Sequence, residues 1–529
     1  MTSIDVATDE FTDSGRRESL VEAMMKPAFY PRPPVELTHK ETHISHLFFA
    51  GDLVYKIKKA VRYSFLDYST LAKRRYYLQE ELWLNRRLAP SVYLGVMPIA
   101  FDESRWRLGG WAQPAEYTLV MRRLPEKRML PFLLETKLVT PAMMGKLAQL
   151  LASFHSTAEA VRGINPSDYL SSLQQQWGGN LADLEPFLKG RGERKTLHAI
   201  KNFGAEFIRD HRDLLVRRAA DGWVRDVHGD LHAEHVCFAP EGIQIFDCIE
   251  FNPTLRRCDL ASEIAFLLMD LSVRGGEPLR EPFIARYREL LIDPDLPRLL
   301  PFFECYRALV RAKVHALRLG KWNDDASRYF RFAARLTWES RKPFLVLVCG
   351  LTGSGKSTLA SELGERLDLT VIKSDVIRKA MAGLADRQAV PFNHGIYGVG
   401  MTERTYARMA REAEKYILTS KGAILDATFA RRVHREKMAQ LAAKHKVPIF
   451  LLRCFATDEL THRRLATRAA DGRDVSDGRW DIYLNQKTAY EPLDEISSKQ
   501  RLDLDTALPV EELGRAVEIF LRSRLKQKR

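Results

Sequence analysis

The sequence predicts a two-domain protein of mixed α/β and α+β class: a two-lobed N-terminal domain over residues 29–341 and a doubly wound parallel sheet over residues 342–529. Three observations carry that prediction. After Lys342-Pro343, short apolar runs alternate with helical segments, the pattern of a parallel sheet covered by helices on both faces. A glycine-rich turn joins the first of those runs to a helix. Upstream, a hairpin and one further strand give way to mostly helical sequence, interrupted once between Trp223 and Ile249.

The elements follow in chain order. Residues 1–28 are polar and acidic without sustained periodicity, and are expected to form a disordered tail. From Thr38 to Lys59, two apolar runs flank Gly51-Asp52, a hairpin signal. A charged helix is expected from Thr70 to Leu88, ending before Pro90, and Tyr117–Met121 reads as a buried strand. Met143–His155 and Thr196–Ala219 carry apolar residues at helical spacing, and helices resume from Asp259 to about Arg341. In the second domain, Phe344–Cys349, Leu369–Ile372, Ala423–Leu425 and Ile449–Leu452 are the strand candidates, with Thr358–Leu367 as the first helix.

Composition narrows the class. Of 529 residues, 45% are hydrophobic and 28% charged, enough to bury large cores. No apolar run approaches a membrane span, and the N-terminus lacks the basic and apolar regions of a signal peptide. Six scattered cysteines without metal-type spacing fit free thiols in a reducing, cytoplasmic compartment. The net charge of +14 admits a nucleic-acid partner, but no zinc knuckle, basic zipper or RNA-binding signature accompanies it. The charge is therefore read as that of a protein handling anions. The sequence is silent on oligomeric state.

Gly350-Leu351-Thr352-Gly353-Ser354-Gly355-Lys356-Ser357 matches the full Walker A pattern, between a strand and a helix as the motif requires. Its glycines let backbone N–H groups turn inward around phosphates, Lys356 reaches the β- and γ-phosphates, and Ser357 offers a hydroxyl to Mg²⁺. The helix beginning around Thr358 adds its positive end, so the ligand is a nucleoside triphosphate, ATP. Three features point to a small kinase. Asp375, with Arg378, stands just after the second strand, where a carboxylate can orient an acceptor hydroxyl and a guanidinium can hold an anion. Asp426 ends the third strand, the place of an acid that supports Mg²⁺. Arg464, Arg468 and Arg473 lie in an arginine-rich stretch suited to a lid. The bland readings are a helix cap for Asp375 and a solvated helix face for the arginines. With the Walker A run, "KSDVIRK", "ILDATF" and "AADGRDVSD…YEPLDE", this portion resembles the P-loop kinases related to polynucleotide kinase and zeta toxin. The resemblance implies Asp375 near the acceptor hydroxyl and lid arginines among Arg464, Arg468 and Arg473.

A second constellation lies upstream. A kinase that uses a catalytic-loop aspartate needs a metal ligand five residues later and a second metal-binding aspartate on the next strand. Asp230, His235 and Asp247 reproduce that order. Lys56, after the hairpin, fits the lysine that grips the α- and β-phosphates, with Glu80 or Glu81 as its ion-pair partner, and Tyr117–Leu124 fits the hinge. With "HGDLHAEH", "IFDCIEF" and "RRCDLASEIAFLLMDL", residues 35–325 resemble aminoglycoside phosphotransferase-like kinases, which implies a protein-kinase-like two-lobed fold. The resemblance also implies that Asp259 braces the catalytic loop. The two-part arrangement resembles bacterial bifunctional phosphotransferase/ATP-binding proteins. Two departures stand out: His235 replaces the family's metal-binding Asn, and no G-x-G-x-x-G loop precedes Lys56. Mg²⁺ prefers oxygen ligands, so either Asp247 carries it with the phosphates, or activity is reduced, or another metal is used. His228, His232 and His235 with Asp230 can also be read as a metal cluster.

The expected function is ATP- and Mg²⁺-dependent transfer of a phosphoryl group to an unidentified hydroxyl acceptor. The rivals are an ATP-hydrolysing regulatory switch with a degenerate kinase-like scaffold, and a polynucleotide 5′-hydroxyl kinase.

Overall fold

The computed structural model describes residues 19–63, 66–102, 105–109, 113–383, 398–419, 421–471 and 480–525. These divide into two compact units, one built from residues up to Phe187 with Lys201–Phe332, the other from Leu188–Ile200 with the chain from Ala333 onward. The second unit thus starts before residue 342, and Trp338 is wholly buried in its core.

The first unit opens with an antiparallel six-stranded sheet in the order Leu37–Glu41, Ser45–Ala50, Leu53–Lys58, Pro114–Arg122, Tyr93–Asp102 and Arg105–Leu108. Gly51, at φ 61°, makes the tight turn between the second and third of these. Alternation along Leu53–Lys58 decides what each face carries. Tyr55 and Ile57 join a core with Phe48 and Ile99, while Val54 joins one with Leu78 and Leu119. Lys56 and Lys58 therefore share the face of Val54, toward the helix Leu71–Arg86.

The opposite face of the sheet corrects an expectation about the tail. Leu20–Met24 is a short helix held by a capping box between Ser19 and Glu22. Leu20, Ala23, Met24, Phe29 and Tyr30 cover the apolar side of the sheet, and the Tyr30 hydroxyl donates to the Met24 carbonyl at 2.7 Å. A two-sided apolar sheet has to be covered on both faces, and this segment supplies the second cover. Residues 1–18 lie outside the described part of the chain.

The remainder of the unit is helical around Leu260–Val273, in which every residue from Leu260 to Leu271 is buried. Two small antiparallel strand pairs interrupt the helices: the hairpin Val236–Ala239 with Gly242–Ile245, and the long-range pair Val224–Asp226 with Arg257–Asp259. The single helix expected over Thr196–Ala219 is two, Arg191–Asp210 and Arg212–Ala220, broken at His211.

The second unit is a five-stranded parallel sheet in the order Thr370–Lys373, Ala423–Asp426, Leu345–Cys349, Ile449–Phe455 and Arg501–Asp505. All five residues of the central strand are buried. Val346 and Val348 meet the helices Lys356–Leu367 and Val510–Arg522 on one face, while Leu345 and Leu347 meet Val399–Leu418 and Arg432–Lys444 on the other. The first strand is central and its neighbours wind outward in both directions, so a crevice opens at the carboxyl ends of the strands beside it.

Candidate active sites

The P-loop leaves the buried strand Leu345–Cys349 at that crevice. Gly350, Gly353 and Gly355 take φ values of 148°, 76° and 79°, which side chains disfavour. Space forbids a side chain as well: a Cβ on Gly350 would lie 2.4 Å from the Cys454 carbonyl oxygen. Leu351, Thr352 and Ser354 complete the loop, and Lys356, Ser357 and Thr358 form the first turn of the helix Lys356–Leu367. Thr352 N–H donates to Gln486 Oε1 at 2.9 Å.

Parallel register brings Lys373 and Val348 level with Asp426, so three strand ends meet at the loop. Burial raises the Asp426 pKa, and Lys356 and the Ser357 hydroxyl counter that rise. Asp426 Oδ1 is buried without a hydrogen-bond partner. An orphaned carboxylate oxygen beside a lysine and a serine hydroxyl fits a hard cation such as Mg²⁺. Asp375, in the first turn of the helix Ser374–Met381, caps nothing; its Oδ1 accepts from Arg378 Nη1 at 2.9 Å.

Arg464 lies beside the loop. Its guanidinium donates to Thr506 Oγ1 at 2.9 Å and to the Thr506 carbonyl at 2.6 Å, and Nη1 would be 3.4 Å from a Cβ on Gly355. Arg468 belongs to the helix Asp458–Asp471, but its side chain lies outside the described residues, as does the whole of Arg473.

In the first unit, Lys56 and Lys58 both reach Glu81. Lys56 Nζ is 2.6 Å from Oε1 and Lys58 Nζ 2.7 Å from Oε2, which singles out Glu81 over Glu80 as the ion-pair partner. Lys58 is also 2.5 Å from Glu250, which accepts from the Tyr68 hydroxyl. Lys56 is 3.3 Å from Asp247 Oδ1. Asp247 follows the strand Gly242–Ile245 in a left-handed conformation, φ 64°, and its N–H donates to the buried Tyr93 hydroxyl. Lys56 pulls the Asp247 carboxyl well below the usual range; burial opposes this and His235 assists it.

The loop His228–His235 is clamped by the central helix. Glu263 accepts the N–H groups of His228 and Gly229, at 2.9 and 3.1 Å, and Asp270 accepts that of Ala233 at 2.9 Å. Seven residues is two helical turns, so both carboxylates face the loop. Asp259 does something else: it caps the same helix and forms a double ion pair with Arg218, which Asp293 shares. The brace expected of Asp259 is thus supplied by Glu263, because the loop packs one turn further along the helix. Burial pushes the Glu263 carboxyl up to about 7, against the pull of Arg307.

His228 donates from Nε2 to the Phe246 carbonyl at 2.9 Å, and burial lowers its pKa to about 3, so it is neutral. Burial opposes ionisation of Asp230 too, but His232, His235 and Arg311 outweigh it and hold the carboxyl far below the usual range. Asp230 Oδ2 lies 3.5 Å from His232 Nε2 and 3.6 Å from His235 Nδ1.

The family described as "Phosphotransferase enzyme family" matches residues 61–302, and that described as "AAA domain" matches residues 345–493. An uncharacterized protein of Mycobacterium tuberculosis is 30% identical over 443 residues, spanning 83% of this chain and 87% of the relative, and one of Mycobacterium bovis matches to the same extent. The chain belongs to their family. Its two domains make it an ATP-dependent phosphotransferase, with a phosphotransferase-like domain followed by a P-loop kinase domain. Among solved structures, a choline/ethanolamine kinase family protein from Mesorhizobium loti is similar at 17% identity and a TM-score of 0.36, covering 60% of this chain and 92% of that one. The APS kinase of Mycobacterium tuberculosis, in complex with AMPPNP and APS, is similar at 18% identity and a TM-score of 0.25, covering 34% and 98%. No helix among the described residues is long and apolar enough to cross a membrane.

Sequence reasoning passed over Glu263, Asp270, Lys58, Tyr93 and Gln486. The two acids were open to detection: carboxylates seven apart in an otherwise apolar helix have to find buried donors.

Proposed function

We propose that the P-loop unit transfers the γ-phosphoryl group of ATP to a hydroxyl acceptor, with Mg²⁺ held by Ser357 and Asp426. The observation that carries this reading is the meeting of the glycine cradle, Lys356 and the orphaned Asp426 oxygen with the Asp375–Arg378 pair at the carboxyl ends of neighbouring strands. The backbone N–H groups of the loop and Lys356 would balance the phosphate charge, and Mg²⁺ supplies further neutralisation of the transferring group when bound. Asp375 would accept a hydrogen bond from the acceptor hydroxyl and orient it for in-line attack. Arg378, already paired with that carboxylate, is placed to hold an anionic part of the acceptor, and Arg464 would steady the phosphates from the side.

A second phosphoryl-transfer site in the first unit is supported by the formed Lys56–Glu81 pair, with Asp247 within reach of the same ammonium. There Asp230, its carboxyl held below the usual range, would orient the acceptor hydroxyl. ATP consumption in the presence of a small-molecule extract tests both sites. Lys356→Ala should lower the P-loop contribution by a hundredfold or so, and Asp230→Asn should remove the residue. Turnover unchanged in Lys356→Ala would reject the P-loop assignment, and turnover unchanged in Asp230→Asn on that background would reject the second site.

A further inference from the structure

The residue in which the first unit departs from its family sits at the expected metal position, and its geometry says what it can bind. His235 Nδ1 lies 2.8 Å from the Asp230 carbonyl oxygen. A carbonyl only accepts, so Nδ1 carries the hydrogen, and in the neutral ring Nε2 presents its lone pair. That lone pair faces Asp247 Oδ2 at 3.6 Å. The separation is too long for a hydrogen bond, and while the ring is neutral its lone pair and the carboxylate repel each other, a repulsion that a cation between them relieves. Two atoms each about 2.1 Å from a shared ion are about 3.4 Å apart at a tetrahedral angle and about 3.0 Å apart at a right angle. The observed gap suits one ion held at an open angle.

The surroundings agree. Lys56 engages the other carboxylate oxygen, Oδ1, leaving Oδ2 for the ion. The Asp247 side chain is 48% exposed, so an ion can enter. Asp230, His232 and His235 bring one ligand atom each within 4.8 Å of one another, further donors next to the pair. Mg²⁺ demands octahedral oxygen and sheds water reluctantly, whereas imidazole with one carboxylate suits the later first-row divalent ions.

We infer that the His235–Asp247 site takes a late first-row divalent ion, of the Co²⁺ or Zn²⁺ class, in preference to Mg²⁺. The ion's part in phosphoryl transfer rests on the second-site reading above, but its binding does not, and is measured without nucleotide or turnover. The full chain, stripped with chelator, is titrated with Co²⁺ while visible absorption is followed, and Mg²⁺ is then added as competitor. The wild-type protein should give a nitrogen-ligated Co²⁺ band and hold Co²⁺ at least tenfold more tightly than Mg²⁺. His235→Asn should lose the band, weaken Co²⁺ about tenfold and narrow the preference over Mg²⁺. A wild-type protein without the band, or a His235→Asn protein with an unchanged preference, overturns the inference. Should His235→Asn fail to fold, nitrogen hyperfine coupling in the Co²⁺-loaded wild type decides: coupling to a protonated-Nδ1 imidazole supports the site, and its absence refutes it.

Discussion

Replacing Glu81 by Gln removes one buried anion that two buried ammonium groups share. Lys58 is wholly buried, Lys56 nearly so, and each stands under 3 Å from a Glu81 oxygen. Removing one partner from a buried pair costs about 3–5 kcal/mol, because the other charge is left uncompensated. Here each lysine keeps a second carboxylate, Asp247 at 3.3 Å and Glu250 at 2.5 Å, which holds the loss to the lower end, about 3 kcal/mol. The functional loss should be larger in proportion, because Lys56 would then swing toward Asp247 and away from a phosphate. Thermal unfolding gives the stability change, and ATP titration on a Lys356→Ala background reads the first unit alone. Glu80→Gln, on the half-buried neighbour, should change stability by less than about 0.5 kcal/mol and leave ATP affinity intact. A Glu81→Gln protein as stable and as tightly binding as Glu80→Gln would refute the shared-anion account.

Arg218→Ala should destabilise the first unit by about 3–5 kcal/mol in urea unfolding, since it strands Asp259 and Asp293. Gly350→Ala should abolish ATP-analogue binding at the P-loop while the fold persists, because backbone at φ 148° and the Cys454 carbonyl leave no room for a methyl group. Glu263 gives a pH dependence with a defined sign. Its folded pKa of about 7 stands above the ordinary 4.5, so the folded state holds a proton that the unfolded chain has lost. Its contribution is full below pH 4.5, declines as pH rises toward 7, and levels off above that. Relative to Glu263→Gln, the parent should therefore lose about 3 kcal/mol across that window, and a pH-independent difference would contradict the assignment.

Much of the fold was legible because local and global signals agree. The P-loop strand is uniformly apolar, its turn is glycine-rich, and its helix follows at once, so no rival structure competes. The strand Arg501–Asp505 escaped notice for the opposite reason: it lies at the sheet edge, only Leu504 is buried, and its alternating acids read as a loop. The break at His211 has neither Pro nor Gly to announce it. Residues 19–28 read as tail because their one helix, Leu20–Met24, is too short to show a period and buries its apolar groups only against the sheet. At the candidate sites, Lys56, Asp230, Asp247, Lys356 and Asp426 could be singled out from spacing, since each stands on, or a few residues from the end of, a strand or helix. Glu81 over Glu80 could not, because adjacent helix positions differ by 100° and only the packed register decides which faces the lysines. Gln486 acts on a backbone N–H group, which leaves no mark on the sequence of the loop it holds.

The central claim is that phosphate leaves ATP for an acceptor at the P-loop rather than for water. The direct measurement is transfer of label from γ-³²P-ATP into a fractionated extract of metabolites, nucleic acids and proteins, run with wild type, Asp375→Asn and Lys356→Ala side by side. The account predicts a labelled acceptor with wild type, strongly reduced with Asp375→Asn and lost with Lys356→Ala. Label recovered only as inorganic phosphate, dependent on Lys356 but indifferent to Asp375, would contradict it and mark the P-loop unit as a hydrolytic switch.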